Sequence, residues 1–249
     1  VLFDQRGCGL SLPFGELEHN NTQGLCNDME AIRQRLGFEQ WLVFGGSWGG
    51  ALALAYAELY PERVLGLIIR AVFLARQQDL DWFAEQGAGR IYPEQWQRLQ
   101  SAIPVRHGHF VADCYHALFD KDEVTQRRVA KEWSAWGAQV ALGNAYSPLD
   151  EHTTEKMVLQ ARMELHYAKH DYFLTENQLL DNAHRLADIP TTIIHGRMDF
   201  VCPIEAGFSL HQAMPHATYI VLPNAGHIAQ GDDMIDALVS ATDEFAYRR

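Results

Sequence analysis

Short runs of apolar residues alternate with amphipathic stretches at both ends of the chain. Apolar runs predict strands at 1–3, 41–44, 64–69, 191–195 and 219–222. Apolar residues at helical spacing predict helices over 22–36, 51–59, 204–213 and 234–245. The strand runs are continuously apolar, which is typical of strands buried on both faces. The pattern therefore predicts an α/β protein with a mostly parallel sheet flanked by helices.

The middle of the chain has a different pattern. From 73 to 186 there is no strand signal, aromatic residues are frequent, and apolar positions repeat at close to 3.6 residues. This predicts a helical cap over 73–186, inserted between a first core part (1–72) and a second core part (187–249). An insertion beside the strand ends, where α/β proteins bind ligands, is well placed to act as a lid.

The segment that follows the predicted strand at 41–44 carries the clearest chemistry. Residues 45–50 read GGSWGG and contain G-x-S-x-G, a motif that sets a serine on a sharp turn between a strand and a helix. Ser47 then needs a strained backbone, and we expect Gly45 and Gly49 to let strand and helix approach each other. A glycine-rich turn that merely closes a βα unit is the alternative, and the flanking strand and helix patterns favour a nucleophile.

A serine hydroxyl becomes a good nucleophile only when a base takes its proton and an acid orients that base. Asp199 follows the predicted strand at 191–195, and His227 follows the one at 219–222. Each alone could be an ordinary loop residue. Their order after Ser47, each beyond a strand, predicts a triad in which Asp199 is the orienting acid and His227 is the general base.

Charge and cysteine content exclude several other functions. The formal net charge of −12 argues against nucleic acid and anionic membranes as partners. No apolar run is long enough for a membrane span. The four cysteines are widely spaced without a C-x-x-C pair, which suits a reducing compartment, so we expect a cytoplasmic protein.

We expect neither a metal nor a cofactor. His166 and His170 lie one helical turn apart, a spacing that can bind zinc, but no glutamate completes an H-E-x-x-H motif and a surface or core role is favoured. His107 and His109 lie in a loop-like stretch. No G-x-G-x-x-G or Walker loop indicates a nucleotide.

Several segments together resemble the proline iminopeptidases (prolyl aminopeptidases), serine peptidases of the α/β-hydrolase fold. They are DQRGCG at 4–9, FGGSWG at 44–49, PERV at 61–64, HGR at 195–197, AGH at 225–227, and in the cap WF at 82–83 and QGA at 86–88. The resemblance spans the whole chain. It implies the α/β-hydrolase fold with a helical cap, and peptides with N-terminal proline as substrates.

The resemblance also implies roles for individual residues. Ser47 would attack the carbonyl of the terminal proline to give an acyl-enzyme, and the Trp48 backbone N–H would be one oxyanion donor. Phe73 would place its ring against the pyrrolidine, and Glu164 of the cap would hold the charged amine. Three further residues match positions around the substrate: Arg70, Phe83 and Cys202.

Two features depart from the family pattern. Where the family usually follows W-S-x-W with glutamate, this chain has Gly137, so a second anionic anchor for the amine is absent or comes from elsewhere. The family's HGGPG loop, which supplies the other oxyanion donor, precedes the DQRG strand and is missing from this chain. We therefore expect an N-terminally truncated chain, a fragment of a working enzyme.

Three functions are compatible with this sequence. The first is a serine aminopeptidase that releases N-terminal proline. The second is a small-acyl esterase or amidase that uses the same triad. The third is a non-catalytic binding module of the same fold, against which the presence of Ser47, Asp199 and His227 argues. Epoxide hydrolases and haloalkane dehalogenases need aspartate at the elbow, so Ser47 excludes them. The number of subunits stays open.

The missing loop predicts low activity for the chain as written. Loss of one oxyanion donor typically lowers the rate by about 10²- to 10³-fold. We expect a version extended at the N-terminus to hydrolyse a proline arylamide faster by at least that factor. Equal rates for the two versions would contradict this expectation.

Overall fold

The computed structural model describes residues 1–85, 87–104, 107–147 and 153–247. These residues form two compact units. The first contains Val1–Asn21 and Leu80–Phe173, and the second contains Thr22–Asp79 and Leu174–Arg249. The core and cap boundaries expected from the sequence, at 72/73 and 186/187, stay a prediction. Gln86 of the QGA segment lies outside the described residues.

The described residues form four strands and ten α-helices, together with short 3₁₀ turns. The strands are β1 (Trp41–Ser47), β2 (Val64–Val72), β3 (Thr191–Gly196) and β4 (Thr218–Leu222). The helices are α1 (Thr22–Arg35), α2 (Trp48–Leu59), α3 (Gln77–Ala84), α4 (Pro93–Ala102), α5 (Phe110–Leu118), α6 (Glu123–Leu142), α7 (Glu155–Lys169), α8 (Gln178–Asp181), α9 (Ile204–Ala213) and α10 (Asp232–Tyr247).

The second unit is built on a parallel sheet with the strand order β1-β2-β3-β4. In β3 every residue is buried, as expected for a strand covered on both faces. One core cluster joins Ile68, Ile194 and Leu222 of three strands to Met234 and Ala241 of α10. Because the strands are parallel, the carboxyl ends of all four reach the same edge of the sheet.

Alanine and leucine residues explain how closely α2 packs. Its residues from Ala51 to Ala57 are all buried, and Leu54 is fully inaccessible. Small alanines let the helix lie close to the strands, and each fully buried leucine contributes about 1.5–3 kcal/mol relative to exposure. The start of α2, one residue after Ser47, is therefore fixed by core packing.

The first unit is helical. Between 73 and 186 the described residues contain helices and no strand. Its core includes an aromatic group in which the Trp96 ring lies 4.6 Å from Phe110 and 5.2 Å from Trp136, measured between centroids. Asp122 caps α6, because its side chain accepts hydrogen bonds from the N–H groups of Val124 and Thr125.

The strand expected at 1–3 is wrong. Val1 and Leu2 are 76% and 101% exposed, and the described sheet does not include them. An apolar run becomes a strand only where a neighbouring strand completes its backbone hydrogen bonds. A run of three apolar residues does not show whether such a strand is present. The other predicted strands and helices are confirmed, with ends that differ by up to three residues. Among the described helices, none is both long and apolar enough to cross a bilayer.

A buried ionic cluster ties α1 to α2. Arg33 donates two hydrogen bonds to the Glu30 carboxylate, at 2.9 Å from Nε and 2.6 Å from Nη2, and the Tyr56 hydroxyl donates another at 2.9 Å. The Arg33 side chain is 6% exposed and that of Glu30 is 12% exposed. The Arg33 hydrogen bonds lower the pKa of Glu30 to about 2.

This cluster predicts a pH-dependent contribution to stability. The folded-state pKa of Glu30 lies below its ordinary value of 4.5, so its contribution is complete above that value and is lost as the pH falls towards 2. We expect Glu30→Gln to lower the free energy of unfolding at pH 7 by about 2 kcal/mol. Urea unfolding should show the gap to the wild type closing below pH 4.5. A gap that stays constant down to pH 3 would contradict the role of the charge.

Candidate active site

Ser47 ends β1 in a backbone conformation that serine rarely adopts. Its φ is 56° and its ψ is −127°, and α2 begins at the next residue, Trp48. A positive φ in a non-glycine residue is strained by about 1–3 kcal/mol and persists only when the surrounding structure holds it. The turn presents the Ser47 side chain at the carboxyl edge of the sheet, as the G-x-S-x-G motif predicts.

Two glycines, Gly45 and Gly50, allow the strand and the helix to approach each other at this turn. The pair expected from the sequence is Gly45 and Gly49. A Cβ at Gly45 would collide with the Gly49 carbonyl, and a Cβ at Gly50 would lie 3.1 Å from the Ile69 side chain. A Cβ at Gly49 would meet no described atom within 4 Å apart from those of its chain neighbours and the backbone of its own helix. The expectation for Gly45 is confirmed, whereas Gly50 and not Gly49 provides the space on the helix side. The sequence GGSWGG contains four glycines, and the sequence alone does not show which of them is sterically required.

Asp199 and His227 are brought together by the loops that follow β3 and β4. His227 Nδ1 lies 3.0 Å from Oδ1 and 2.9 Å from Oδ2 of Asp199. A carboxylate can only accept, so Nδ1 is the donor, and in the neutral tautomer Nε2 is the nitrogen that can accept a proton. Asp199 is 2% exposed, and its Oδ1 also accepts hydrogen bonds from the N–H groups of Val201 and Cys202 at 3.0 and 2.8 Å.

Backbone contacts hold the two loops against each other. The Met198 N–H donates to the Ala225 carbonyl at 3.0 Å, and the Arg197 N–H donates to the Leu222 carbonyl at 2.8 Å. A Cβ at Gly196 would collide with the carbonyl of Ala225. The glycine that ends β3 is therefore required for the loop carrying His227 to pass over the loop carrying Asp199.

Ser47 lies at the same edge but makes no hydrogen bond to His227 among those formed by the described residues. Its Oγ lies 3.9 Å from Cys202 Sγ, and either atom can be the donor. Burial, assisted by the charge of Asp199, raises the pKa of the Cys202 thiol well above its ordinary value, so the thiol is protonated. Catalytic hydrogen bonds are often long or misaligned without substrate, and a rotation of the serine hydroxyl changes its partner.

Arg70 connects the nucleophile turn with the His227 loop. Its Nη1 donates to the His227 carbonyl, and its guanidinium occupies the space that a Cβ at Gly46 would need. Burial lowers the pKa of Arg70 while the charge of Asp199 opposes that shift, and an arginine stays charged in proteins. Its expected role in binding substrate stays a prediction; the contacts observed here are to the backbone on both sides of the site.

Sequence reasoning missed His195 as a structural partner of Asp199. His195 is fully buried in β3, and its Nε2 lies 3.6 Å from Asp199 Oδ2. A histidine inside a continuous apolar strand is a signal that could have found it, because such a ring must have partners for both nitrogens.

The remaining expected residues have separate positions. Phe73 directly follows β2 in the second unit and is half-buried. Glu164 and Phe83 lie in the first unit, where both contact Trp133. Trp133 Nε1 donates to Glu164 Oε2 at 2.8 Å, and the Phe83 and Trp133 rings meet edge to face at 5.8 Å between centroids.

Glu164 also accepts a hydrogen bond from Gln160 Nε2 at 3.1 Å. Its side chain is exposed to solvent, but nearby protein atoms raise the carboxyl pKa by desolvation, against the two hydrogen bonds that lower it. Trp133 and Gln160 therefore fix the direction of the carboxylate.

The chain is similar over nearly its whole length to proline iminopeptidases. It is 43% identical to the proline iminopeptidase of Xylella fastidiosa (strain Temecula1 / ATCC 700964), covering 98% of this chain and 80% of that protein. It is 39% identical to a probable proline iminopeptidase of Leptolyngbya boryana, covering 100% of this chain and 79% of that protein. A family model described as the alpha/beta hydrolase fold matches residues 1–233.

The chain belongs to the proline iminopeptidase family. The resemblance expected from the sequence is thereby confirmed.

Solved structures confirm the α/β-hydrolase fold. An esterase from Exiguobacterium antarcticum matches with a TM-score of 0.61 at 16% identity, over 98% of this chain and 80% of that chain. A structure from a study of carboxylesterases of Nitrososphaera gargenis matches with a TM-score of 0.58 at 16% identity, over 99% of this chain and 80% of that chain. At such identity the likeness concerns the fold alone.

The resemblance places Gly137 where the family usually has glutamate, and this correspondence stays an expectation. Gly137 lies one helical turn after Trp133 on α6, and a Cβ there would have the Phe83 ring at 4.0 Å as its near neighbour. The position thus has room for a side chain on the face of α6 that carries Trp133. Glycine carries no charge at this position, and the carboxylate bonded to Trp133 is that of Glu164.

The described residues include no group of three or more histidine, cysteine, aspartate or glutamate side chains arranged to hold a metal ion. The rings of His166 and His170 lie 4.9 Å apart between centroids, but each has a nitrogen near a backbone carbonyl, that of Asn20 at 2.8 Å and that of His166 at 2.7 Å.

The Asp199–His227 contact predicts the effect of Asp199→Asn. The new amide keeps an oxygen for the Val201 and Cys202 N–H groups but presents an N–H to His227, so the ring must adopt the wrong tautomer. We expect the rate at which a fluorophosphonate reacts with Ser47 to fall by about 10⁴-fold. Asp188→Asn, at an exposed position, is the control and should react as the wild type does. A loss below tenfold for Asp199→Asn would contradict the assignment.

Proposed function

We propose that the chain is a serine aminopeptidase that releases N-terminal proline from peptides through an acyl-enzyme intermediate. The observation that carries the proposal is the Asp199–His227 pair, with Nδ1 at 2.9 and 3.0 Å from the carboxylate oxygens, at the sheet edge where the strained Ser47 turn ends β1. Membership of the proline iminopeptidase family supports the choice of substrate.

In the proposed reaction, His227 Nε2 takes the Ser47 hydroxyl proton as Oγ attacks the carbonyl carbon of the terminal proline. Trp48 opens α2, so its backbone N–H lies where N–H groups point out of the helix end, and it would donate to the oxyanion. The imidazolium, stabilised by Asp199, then protonates the leaving amine. Water, deprotonated by His227, hydrolyses the prolyl ester and regenerates Ser47.

Three residues are proposed to select the substrate. We propose that Phe73 and Phe83 supply apolar surface for the pyrrolidine, and that Glu164 attracts the charged amine. A carboxylate 4 Å from an ammonium contributes about 4 kcal/mol at an effective dielectric near 20, before desolvation is subtracted. The hydrogen bonds from Trp133 and Gln160 support this role, since they hold the carboxylate in one direction.

The state of the cysteines supports a cellular location. Among the described residues, none of the four cysteines forms a disulfide. Reduced thiols fit a reducing compartment, and we propose that the enzyme acts in the cytoplasm.

The substrate class is tested by comparing a proline arylamide with a short-chain ester that has no amine. We expect the arylamide to have the higher kcat/KM in the wild type, and Ser47→Ala to abolish both activities. A preference for the ester would favour a small-acyl esterase. Absence of any Ser47 adduct with a fluorophosphonate, in a folded protein extended at the N-terminus, would favour a binding module.

The amine anchor is tested with Glu164→Gln. Glutamine retains an oxygen for the Trp133 N–H but removes the charge, so we expect KM for the arylamide to rise by about ten- to a hundredfold while hydrolysis of the ester is unchanged. The control is Glu155→Gln, an exposed position at the start of the same helix. Equal losses on both substrates would show that Glu164 supports structure instead of binding the amine.

A further inference from the structure

His195 is a buried ionisable group that the proposed reaction does not use. It lies in β3 with no exposed surface, and both of its ring nitrogens have partners. The Val72 N–H donates to Nδ1 at 3.3 Å, and Nε2 lies 2.8 Å from the Cys202 carbonyl oxygen. A backbone N–H only donates and a carbonyl only accepts, so the proton of the neutral ring is on Nε2.

The end of β2 is shaped to supply the Val72 N–H. Gly46 pairs with Arg70 and Ser47 pairs with Val72, so Ala71 is an extra residue that forms a bulge in β2. Ala71 is fully buried and has a φ of 47°, a strained value for alanine. The regular pairing of β2 with β3 ends at Arg70, and beyond it the Val72 N–H donates to the ring instead of to a strand.

Helix α9 leaves space for the His195 ring at Gly207. A Cβ at Gly207 would lie only 2.5 Å from His195 Nδ1, so any larger residue there would displace the imidazole. Burial lowers the pKa of His195, against the nearby charge of Asp199, and the ring is neutral. The position of His195 is therefore fixed by the bulge at Ala71 and by Gly207 of α9. Its tautomer is fixed by the two hydrogen bonds of the ring.

The Nε2 proton acts on the turn that carries Asp199. This turn runs from Asp199 to Cys202 and is closed by the Asp199 Oδ1 bonds to the Val201 and Cys202 N–H groups. His195 holds its far end through the Cys202 carbonyl, and the same Nε2 lies 3.6 Å from Asp199 Oδ2, the oxygen nearest to His227.

We propose that His195 is a positioning residue, whose Nε2–H holds the Cys202 carbonyl and thereby aims the Asp199 carboxylate at His227. The proposal rests on the proposed role of Ser47, Asp199 and His227 as a serine hydrolase triad. The described polar contacts of His195 are with Val72, Cys202 and Asp199 and not with Ser47.

Two substitutions separate the two ring nitrogens. In His195→Gln the amide nitrogen reaches the place of Nε2, so the donor to Cys202 is kept and the acceptor for Val72 is lost. In His195→Asn the amide oxygen takes the place of Nδ1, so the reverse holds. Each variant loses one buried hydrogen bond, and we expect similar decreases in melting temperature.

The first readout is the second-order rate of Ser47 phosphonylation by a small fluorophosphonate. We expect His195→Asn to reduce this rate by about ten- to a hundredfold, because displacement of a catalytic group by about 1 Å has an effect of that size. We expect His195→Gln to keep a rate much closer to that of the wild type. The control is His216→Asn, which removes another contact of a histidine Nε2 with a carbonyl, that of Ile189 at 3.2 Å, and should keep the wild-type rate. Equal rates for the two His195 variants, or a wild-type rate in His195→Asn, would overturn the proposal.

The second readout is imidazole NMR at pH 7, which does not require activity. We expect protonated Nε2 and bare Nδ1 at His195 in the wild type. The His227 Nδ1–H signal should persist in His195→Gln and be lost or shifted in His195→Asn. An unchanged His227 signal in His195→Asn would overturn the proposal. A wild type that the phosphonate does not label would contradict the proposed function, and the NMR result would then decide on His195.

Gly207→Ala provides an independent route if His195→Asn does not fold. The added methyl group would displace the His195 imidazole from its position without removing any polar group of the site. We expect the same direction of change in the Ser47 labelling rate and in the His227 signal, and wild-type values for both would count against the role of His195.

Discussion

The approach of α2 to β1 at Gly45 is the constraint on which the candidate site depends. A Cβ at Gly45 would collide with the Gly49 carbonyl, so the strand and the helix meet backbone to backbone. The chain can join them only through a sharp turn, and Ser47 occupies it at a φ of 56°. The strain of about 1–3 kcal/mol is offset by core packing, because α2 buries nearly all of its alanine and leucine side chains against the sheet.

The parallel sheet brings the Ser47 turn together with the other residues of the candidate site. Since all strands run the same way, the ends of β1, β3 and β4 bring Ser47, Asp199 and His227 to one edge. Backbone contacts then fix the loops: Met198 to Ala225 between the two loops, and Arg70 to the His227 carbonyl. Buried polar groups with complete partners specify one arrangement more strictly than apolar packing does.

Much of this architecture could be predicted from the sequence. The predicted strands that lie in the sheet are apolar runs, and Asp199 and His227 follow two of them as expected. An apolar run indicates burial, and most residues of β2 and all residues of β3 are buried, whereas β1 and β4 are only partly buried.

Other features leave no periodic signal. The bulge at Ala71 and the Val72–His195 bond depend on which backbone groups remain after pairing ends, which only the folded register determines. The same reason explains why Gly50 and not Gly49 is the tight position on α2. Residues 1–3 have the opposite problem: they form an apolar run in the sequence but no strand, because no described strand pairs with them.

The central claim is that Ser47, Asp199 and His227 act as one nucleophilic system on prolyl substrates. A crystal structure of the protein treated with a phosphonate diester of proline tests it most directly. The account predicts phosphorus bonded to Ser47 Oγ, a phosphonyl oxygen within hydrogen-bond distance of the Trp48 N–H, and His227 still bonded through Nδ1 to Asp199. An unmodified Ser47 beside phosphorus on another side chain, or a modified Ser47 with His227 turned away from Asp199, would contradict it.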